Sequence, residues 1–331
     1  MSALTFLRTA RGRRVSAVTL AAALGAACVS TSGPAATEKP SAPAAAAQKP
    51  ATPAATGTAA AGAAPAAPAS KSPSITAADG TRIVYDVSGS GPALLLLHGG
   101  GQTRNSWAER GYVDRLAKKF TVIRMDLRGS GDSARPDTIT AYALDTVLAD
   151  ILAVADAAGA KRFHLWGFGH GASIGRHLAV RSDRVISAVL VGMDMGPTLS
   201  GPVKDAIAAM RAKWQPVLEG NKAGTLDLKT LSIGDRDAWN HGVALTAIQL
   251  GAMLDYPPVQ PADITVPTLW LVGAADASGM ENVKQFEGKL GGTKVTFKQL
   301  SGLSYTDSFA RIDPVLAEAE PFLASTAAPS S

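Results

Sequence analysis

The residues whose types and spacing could do chemistry gather first at Gly167-Phe168-Gly169-His170-Gly171. A strand-like run, Arg162 to Trp166, leads in, and a helix-like run, Ala172 to Val180, leads out. Glycines at the first, third and fifth places of a strand-to-helix turn fit two chemistries. One is the G-x-S-x-G turn, which lifts a nucleophile on a strained backbone above the end of a sheet. The other is the dinucleotide turn G-x-G-x-x-G/A, whose backbone N–H groups hold a pyrophosphate. Gly167, Gly169 and Ala172 satisfy the second pattern, and Asp194 lies where its ribose-binding acid would fall. The first pattern needs a serine at its third place, and this chain has Gly169.

Such a turn needs a sheet and helices to hold it. From Ile75 to Leu323 strand-like and helix-like runs alternate, which predicts an α/β fold with a largely parallel sheet. Asp79-Gly80 predicts an antiparallel hairpin between Ser74–Ala77 and Thr81–Asp86. Ala93–Leu97 has the length and apolarity of a buried strand and ends in His98-Gly99-Gly100-Gly101. A helix is predicted over Trp107–Lys119, and a strand over Phe120–Met125 that runs into Asp126–Ser133. Ala141–Ala158 is amphipathic at helical spacing, and Val185–Val191 is the next strand. Pro197 to Asp263 breaks the alternation with helices over Val203–Leu218 and Trp239–Leu254. This insert reads as a lid at about 197–263. Its Met210, Trp214, Trp239, Met253 and Tyr256 are expected in the core and along a ligand pocket. Strands at Pro267–Gly273 and Lys294–Leu300 and a helix at Pro314–Phe322 complete the domain.

Four landmarks then fall in order. They are His98–Gly101 after a buried strand, Asp126-x-Arg128-Gly129-x-Gly131-x-Ser133, the Gly167–Gly171 turn, and Gly273-Ala274-Ala275-Asp276 after the penultimate strand. In this the chain resembles the α/β-hydrolase superfamily of serine-hydrolase type, across Ser74 to Leu323. The resemblance implies an α/β-hydrolase fold, mostly parallel, with an N-terminal antiparallel hairpin, flanking helices and a helical lid. It also implies an oxyanion hole from the backbone N–H groups of Gly100 and His170, a nucleophile position at Gly169, a triad acid at Asp276, and a histidine position in Gly302-Leu303-Ser304-Tyr305, filled by Tyr305.

A nucleophile needs a base, and the base needs an orienting acid. The five histidines, His98, His164, His170, His177 and His241, all precede Asp276, so none stands at the triad position. Each has a plain structural reading in a loop, strand, helix or the lid. Loss of a triad serine or histidine typically costs about 10⁶ in turnover. Glycine also tolerates the strained elbow backbone at little cost. The sequence therefore predicts a fold without serine-hydrolase chemistry, whose backbone donors at Gly100 and His170 would take a carbonyl or carboxylate ligand. An active hydrolase with an atypical site is the alternative, and a dinucleotide-binding protein the third reading. The latter fits poorly, because several strands precede the turn. No cofactor is implied, and one cysteine with scattered histidines offers no metal-ligand spacing.

The first part of the chain has another task. Arg8, Arg11, Arg13 and Arg14 precede the apolar run Val15–Ala27, which is too short to span a bilayer and ends in small residues. Residues 1–27 thus read as a signal peptide, and Arg13-Arg14 fits a twin-arginine signal weakly. Cys28, the only cysteine, follows Leu24-Gly25-Ala26-Ala27 and resembles a bacterial lipobox cysteine. That predicts lipidation at Cys28 and a membrane anchor, with cleavage after Ala27 without lipidation as the alternative. Residues 28–74 are an Ala/Pro-rich linker with almost nothing to bury. Residues 75–323 are the domain, and 324–331 a polar tail. The expected location is the bacterial cell envelope. The formal charge of +5 falls to +1 once residues 1–27 are removed, because they hold four arginines and no acid. Nothing in that balance provides the clustered basic face that nucleic acid requires.

Overall fold

A computed structural model describes residues 72–326. The signal, Cys28, most of the linker and the end of the tail lie outside these residues. The strands are β1 (Ser74–Thr76), β2 (Arg82–Ser88), β3 (Ala93–Leu97), β4 (Thr121–Met125), β5 (Phe163–Phe168), β6 (Val185–Val191), β7 (Thr268–Gly273) and β8 (Val295–Leu300). They form one sheet in the order β1-β2-β4-β3-β5-β6-β7-β8. The pairs β1–β2 and β2–β4 are antiparallel and the rest parallel, as expected from the hairpin at Asp79-Gly80.

Helices cover both faces, which is why the central strands are apolar throughout rather than alternating. In β3, Leu95 and Leu97 join one core with Ile151 and Leu178, while Leu94 and Leu96 join the other with Trp107 and Phe309. The helices are α1 (Asn105–Glu109), α2 (Tyr112–Leu116), α3 (Leu144–Ala157), α4 (His170–Arg181), α5 (Gly201–Lys222), α6 (Ile233–Asn240), α7 (Val243–Gly251), α8 (Ala277–Lys284), α9 (Asp307–Ala310) and α10 (Ile312–Thr326).

Several boundaries differ from the sequence expectation, each for a local reason. The single helix expected over Trp107–Lys119 is two short ones, because Gly111 takes a left-handed conformation at φ 84° between them. Gly242 at φ 72° likewise divides the helix expected over Trp239–Leu254 into α6 and α7. The expected helix from Ala141 begins instead as a 3₁₀ turn, Ile139–Tyr142, and restarts after Ala143 at ψ 143°. The ordered domain starts before residue 75: Ser74 pairs with Val84, and the Pro73 carbonyl accepts from the Tyr85 N–H at 3.1 Å. It also runs past Leu323, since α10 reaches Thr326, whose Oγ1 donates to Ser187 Oγ at 3.0 Å.

The Asp126–Ser133 turn is a structural hub. Asp126, fully buried, is paired with the Arg104 guanidinium and also accepts from the Arg104 N–H at 2.7 Å and the Asp132 N–H at 2.9 Å. Arg128 donates through Nε and Nη2 to the two oxygens of Asp150 at 2.6 and 2.7 Å, and through Nη1 to Asp79 in the hairpin turn at 2.8 Å. Ser133 Oγ donates to the Asp126 carbonyl and accepts from the Val84 N–H. The hairpin is therefore fastened to the parallel sheet by the buried Arg128, through the exposed Asp79, and by the buried Ser133.

The insert closes on this hub. Arg176 in α4 holds its first stem, donating to the Asp194 and Pro197 carbonyls and to Thr198 Oγ1. Thr198 Oγ1 lies 3.3 Å from the Tyr256 and Pro257 carbonyls of the second stem. Gln249 Nε2 donates to the Arg128 carbonyl at 2.9 Å and to Ser130 Oγ at 3.0 Å.

Candidate functional site

β5 runs two residues further than the sequence suggests, so Gly167 and Phe168 are strand and the turn itself is Gly169. Gly169 has φ 49° and ψ −111°, a backbone that side-chain-bearing residues adopt only under strain. Its N–H donates to the Val191 carbonyl at 2.9 Å, and its carbonyl accepts from the Ser173 N–H at 2.9 Å, which fixes the turn between β6 and α4. The flanking glycines are needed for close backbone approach. A Cβ on Gly167 would lie 2.6 Å from Ala172 Cα, and one on Gly171 would strike the Leu97 carbonyl oxygen. The glycine spacing that also suits a dinucleotide turn is thus accounted for by strand–helix packing in the middle of the sheet.

The carboxyl end of β3 meets this turn. Gly99 Cα lies 3.9 Å from the point a Cβ of residue 169 would occupy, and the corresponding point on Gly100 lies 3.8 Å from His170 Cβ. The Gly99 N–H donates to Gln102 Oε1 at 2.9 Å. The next N–H, that of Gly100, finds no acceptor among the described residues. His170 is the first residue of α4, where N–H groups lack intrahelical partners and the helix dipole favours negative charge. The two backbone groups named as oxyanion donors are therefore neighbours.

Beside them sit two buried imidazoles. His98 Nε2 accepts from the Leu127 N–H at 3.1 Å, so Nδ1 carries the proton and donates to the Gly99 carbonyl at 2.8 Å. Burial pushes its pKa down. Burial, with His98 adding to it, pushes His170 down to about 3, and His170 Nδ1 is buried without a partner. Neither ring is charged at neutral pH, and a base that weak abstracts protons poorly.

The opposite wall holds the unexpected feature. Tyr305, in the turn between β8 and α9, stands at the position the resemblance assigns to a histidine, and its hydroxyl occupies the space above Gly169. A Cβ on Gly169 would overlap Tyr305 Oη and lie 3.5 Å from Cζ. The Tyr305 ring lies on Phe168 at 5.1 Å between centroids and 35° between planes. Gly192, just beyond β6, leaves room for both rings, since a Cβ there would lie 3.0 Å from each. Sequence spacing could place Tyr305 after the last strand but could not aim its side chain.

Asp276 caps α8: its Oδ1 accepts from the Gly279 N–H at 3.0 Å. Asp194, beyond β6, is near enough for the charge of Asp276 to act on it. Burial, above all, pushes the Asp194 carboxyl up, Asp276 adds to that, and the hydrogen bond from Ser200 Oγ at 2.5 Å opposes it. Asp194 escaped the hydrolase-type reading, because its approach to Asp276 depends on the neighbouring of β6 and β7.

The remaining candidates lie elsewhere. A histidine–serine bond does exist, His164 Nδ1 to Ser187 Oγ at 2.8 Å, but near the amino ends of β5 and β6 and fully buried, away from the elbow. His241 is exposed at the end of α6. His177 packs edge-on to Tyr256. The aromatic and methionine side chains of the insert lie in the core, as expected. Met210, Trp214, Met253 and Tyr256 belong to the core, and it is Leu250 of α7 that approaches Gly100, with Cδ2 3.3 Å from its Cβ point. A cavity of about 280 Å³ opens within the insert and one of about 180 Å³ between the insert and Asp137–Thr140; both touch Gln215 and Glu219 of α5, and neither includes Gly100, Gly169 or Tyr305. Among the described residues no group of three histidine, cysteine or acidic residues could hold a metal, and no helix is long and apolar enough to cross a membrane.

A family model described as alpha/beta hydrolase fold matches residues 92–221. A fluoroacetate dehalogenase from Burkholderia sp is 38% identical over 116 residues, which cover 34% of this chain and 37% of that protein. A soluble epoxide hydrolase from Corynebacterium sp. (strain C12) is 33% identical over 121 residues, 37% of this chain and 41% of that protein. The match thus spans well under half of either relative. A thermophilic esterase from Thermogutta terrifontis, solved with malate bound, superposes with a TM-score of 0.59 at 19% identity, covering 78% of this chain and 99% of that one. The chain has the α/β-hydrolase fold.

Proposed function

We propose that this chain is a binding protein on the α/β-hydrolase fold that holds a carbonyl or carboxylate oxygen at the N–H groups of Gly100 and His170 and does not turn it over. One observation carries the reading: at the strained elbow, where a nucleophilic side chain would project, residue 169 is glycine and Tyr305 Oη occupies the space. The backbone donors need no particular side chain, and the start of α4 favours an anion. The bound malate of the Thermogutta esterase, a dicarboxylate on the same fold, is in keeping with such a ligand. The expected anchor at Cys28 and the linker behind it would hold the domain at a membrane of the cell envelope.

The test is turnover of aryl esters by the purified protein. The proposal expects none above buffer, and a gain in Gly169→Ser/Tyr305→His, where the nucleophile is restored and the obstructing phenol removed. Robust turnover by the unaltered protein would sink it. The names of the two relatives, a dehalogenase and an epoxide hydrolase, favour a second reading, an active hydrolase with an atypical site using Asp276. Asp276→Asn separates the two: it abolishes activity under the second reading and leaves ligand binding intact under the first.

A further inference from the structure

Three glycines shape the space around Tyr305. Gly99 comes from the loop after β3, Gly169 from the elbow and Gly192 from the turn after β6. A Cβ on Gly99 would lie 2.8 Å from Phe168 Cδ1, one on Gly192 would lie 3.0 Å from Phe168 Cε2 and from Tyr305 Cε2, and one on Gly169 would overlap Tyr305 Oη. Any side chain at these places would close the space. What they leave is a slot over the Phe168 ring that extends to Gly169, the residue before α4.

Tyr305 fills that slot with a six-membered ring lying on Phe168 and an oxygen at its tip. The ring belongs to a surface turn and is 38% exposed, so one edge faces water. The turn contains Gly302 at φ 66°, and a Cβ there would have no neighbour within 4 Å. The residue before Tyr305, Ser304, donates through Oγ to Asp307 Oδ2 at 2.6 Å, and Leu303, 1% exposed, accepts from the Ala275 N–H at 2.8 Å, so the backbone of the turn is fastened and the Tyr305 side chain reaches out from it. Phe168, by contrast, is 4% exposed and stacks on Phe309 at 4.8 Å between centroids. Phe168 is fixed in the core, while Tyr305 reaches over it from a surface turn.

We propose that Tyr305 is the built-in occupant of a binding slot for a flat aromatic ring bearing a terminal oxygen, of the phenol or benzoate class, and that such a ligand enters by displacing the Tyr305 side chain. This deepens the binding reading above and rests on it. The ring of the ligand replaces the Tyr305 ring on Phe168, and its oxygen takes the place of Oη above Gly169, next in sequence to His170. Because the slot is open only in the fraction of molecules with Tyr305 displaced, the apparent affinity falls by that fraction.

The experiment titrates the full chain and its Tyr305→Ala variant with phenol, benzoate, cyclohexanol and acetate by calorimetry. Tyr305→Ala is expected to bind phenol and benzoate at least about tenfold more tightly than the unaltered chain, the gain expected when an occluding group is held in place nine-tenths of the time or more. Cyclohexanol, which is not flat, gains much less. Equal binding of benzoate by both proteins, or an equal gain for cyclohexanol, overturns the slot. If acetate still binds both in that case, the carboxylate reading stands without it; if no oxygen ligand binds either protein, both fail.

A second measurement needs no variant. The other four of the five tyrosines are at most 8% exposed, so nitration by tetranitromethane reports mainly on Tyr305. Saturating benzoate should raise the nitration rate of Tyr305 several-fold, read by peptide mass. An unchanged or reduced rate overturns displacement, and this holds even if Tyr305→Ala does not fold.

Discussion

Two turns at the carboxyl edge of the sheet, both landmarks of the α/β-hydrolase fold, rest on different parts of their residues. The Asp126–Ser133 turn after β4 keeps its side chains: Asp126, Arg128 and Ser133 are all buried and bonded to groups distant in sequence. The Gly167–Gly171 turn after β5 keeps its backbone geometry, while its central residue carries no side chain and another residue's phenol stands above it. The first motif holds the hairpin, the sheet and the insert together, so altering it is expected to destabilise the domain. The centre of the second motif contributes shape through its backbone, so its side chain can be absent without cost to the fold.

The comparison can be broken most forcefully at the first turn. Asp150→Ala leaves the Arg128 guanidinium, 1% exposed, without its bidentate partner. Breaking a buried pair in this way is expected to cost about 3–5 kcal/mol, measured by urea denaturation. A loss below about 1 kcal/mol would mean that this turn is as dispensable as the other.

At the elbow the order of effects is reversed, with addition rather than removal doing the harm. Gly169→Ala forces a Cβ into left-handed backbone and against Tyr305 Oη, and should cost about 1–3 kcal/mol from the backbone alone. Adding Tyr305→Ala should recover part of the loss, with a coupling of at least about 0.5 kcal/mol in a double-mutant cycle. Strict additivity would show that the phenol does not stand over residue 169.

Acid probes both regions together. Burial leads in lowering four histidines: His98, His164 to about 4, His170 to about 3 and His177 to about 3. Each binds its proton more readily in the unfolded chain, so its contribution is complete above the unfolded pKa of about 6.5 and is lost as the pH falls towards the folded value. Each loses at most about 1.4 kcal/mol per pH unit across that window. The melting temperature should therefore fall steadily from pH 6.5 to pH 4. A flat profile would indicate that these rings are hydrated or paired when folded.

The smallest effect concerns Asp276. As the cap of α8, its replacement by alanine should cost about 1 kcal/mol. Asp276→Asn keeps a capping oxygen and should cost less. An equal loss from both would point to the carboxylate charge rather than the cap.

Local pattern made much of the fold legible. The alternation of apolar runs with amphipathic ones, and the glycines between them, predicted the parallel sheet and its leading hairpin, and Ala93–Leu97 and Val185–Val191 were delimited without error. The helix divisions at Gly111 and Gly242 were missed because a glycine inside an amphipathic run carries no mark of whether it will turn left-handed. That is decided by where the next segment must pack. The place of the elbow was legible for a related reason: its glycines are required by backbone contacts with Ala172 and Leu97, which recur wherever a strand turns at once into a helix.

By itself the sequence determined that no nucleophile stands at residue 169 and no histidine follows Asp276, since side chains absent from the chain cannot be supplied by folding. Only the tertiary structure decided what stands over residue 169. Tyr305 is far from Gly169 in sequence, and its position depends on the register of β8 against β7, the turn before α9 and the face of Phe168. The insert was legible as helical, but that Leu250 reaches Gly100 was settled by how α7 packs. Composition determines which groups a chain can offer; direction in space belongs to packing, because a side chain points where its neighbours leave room.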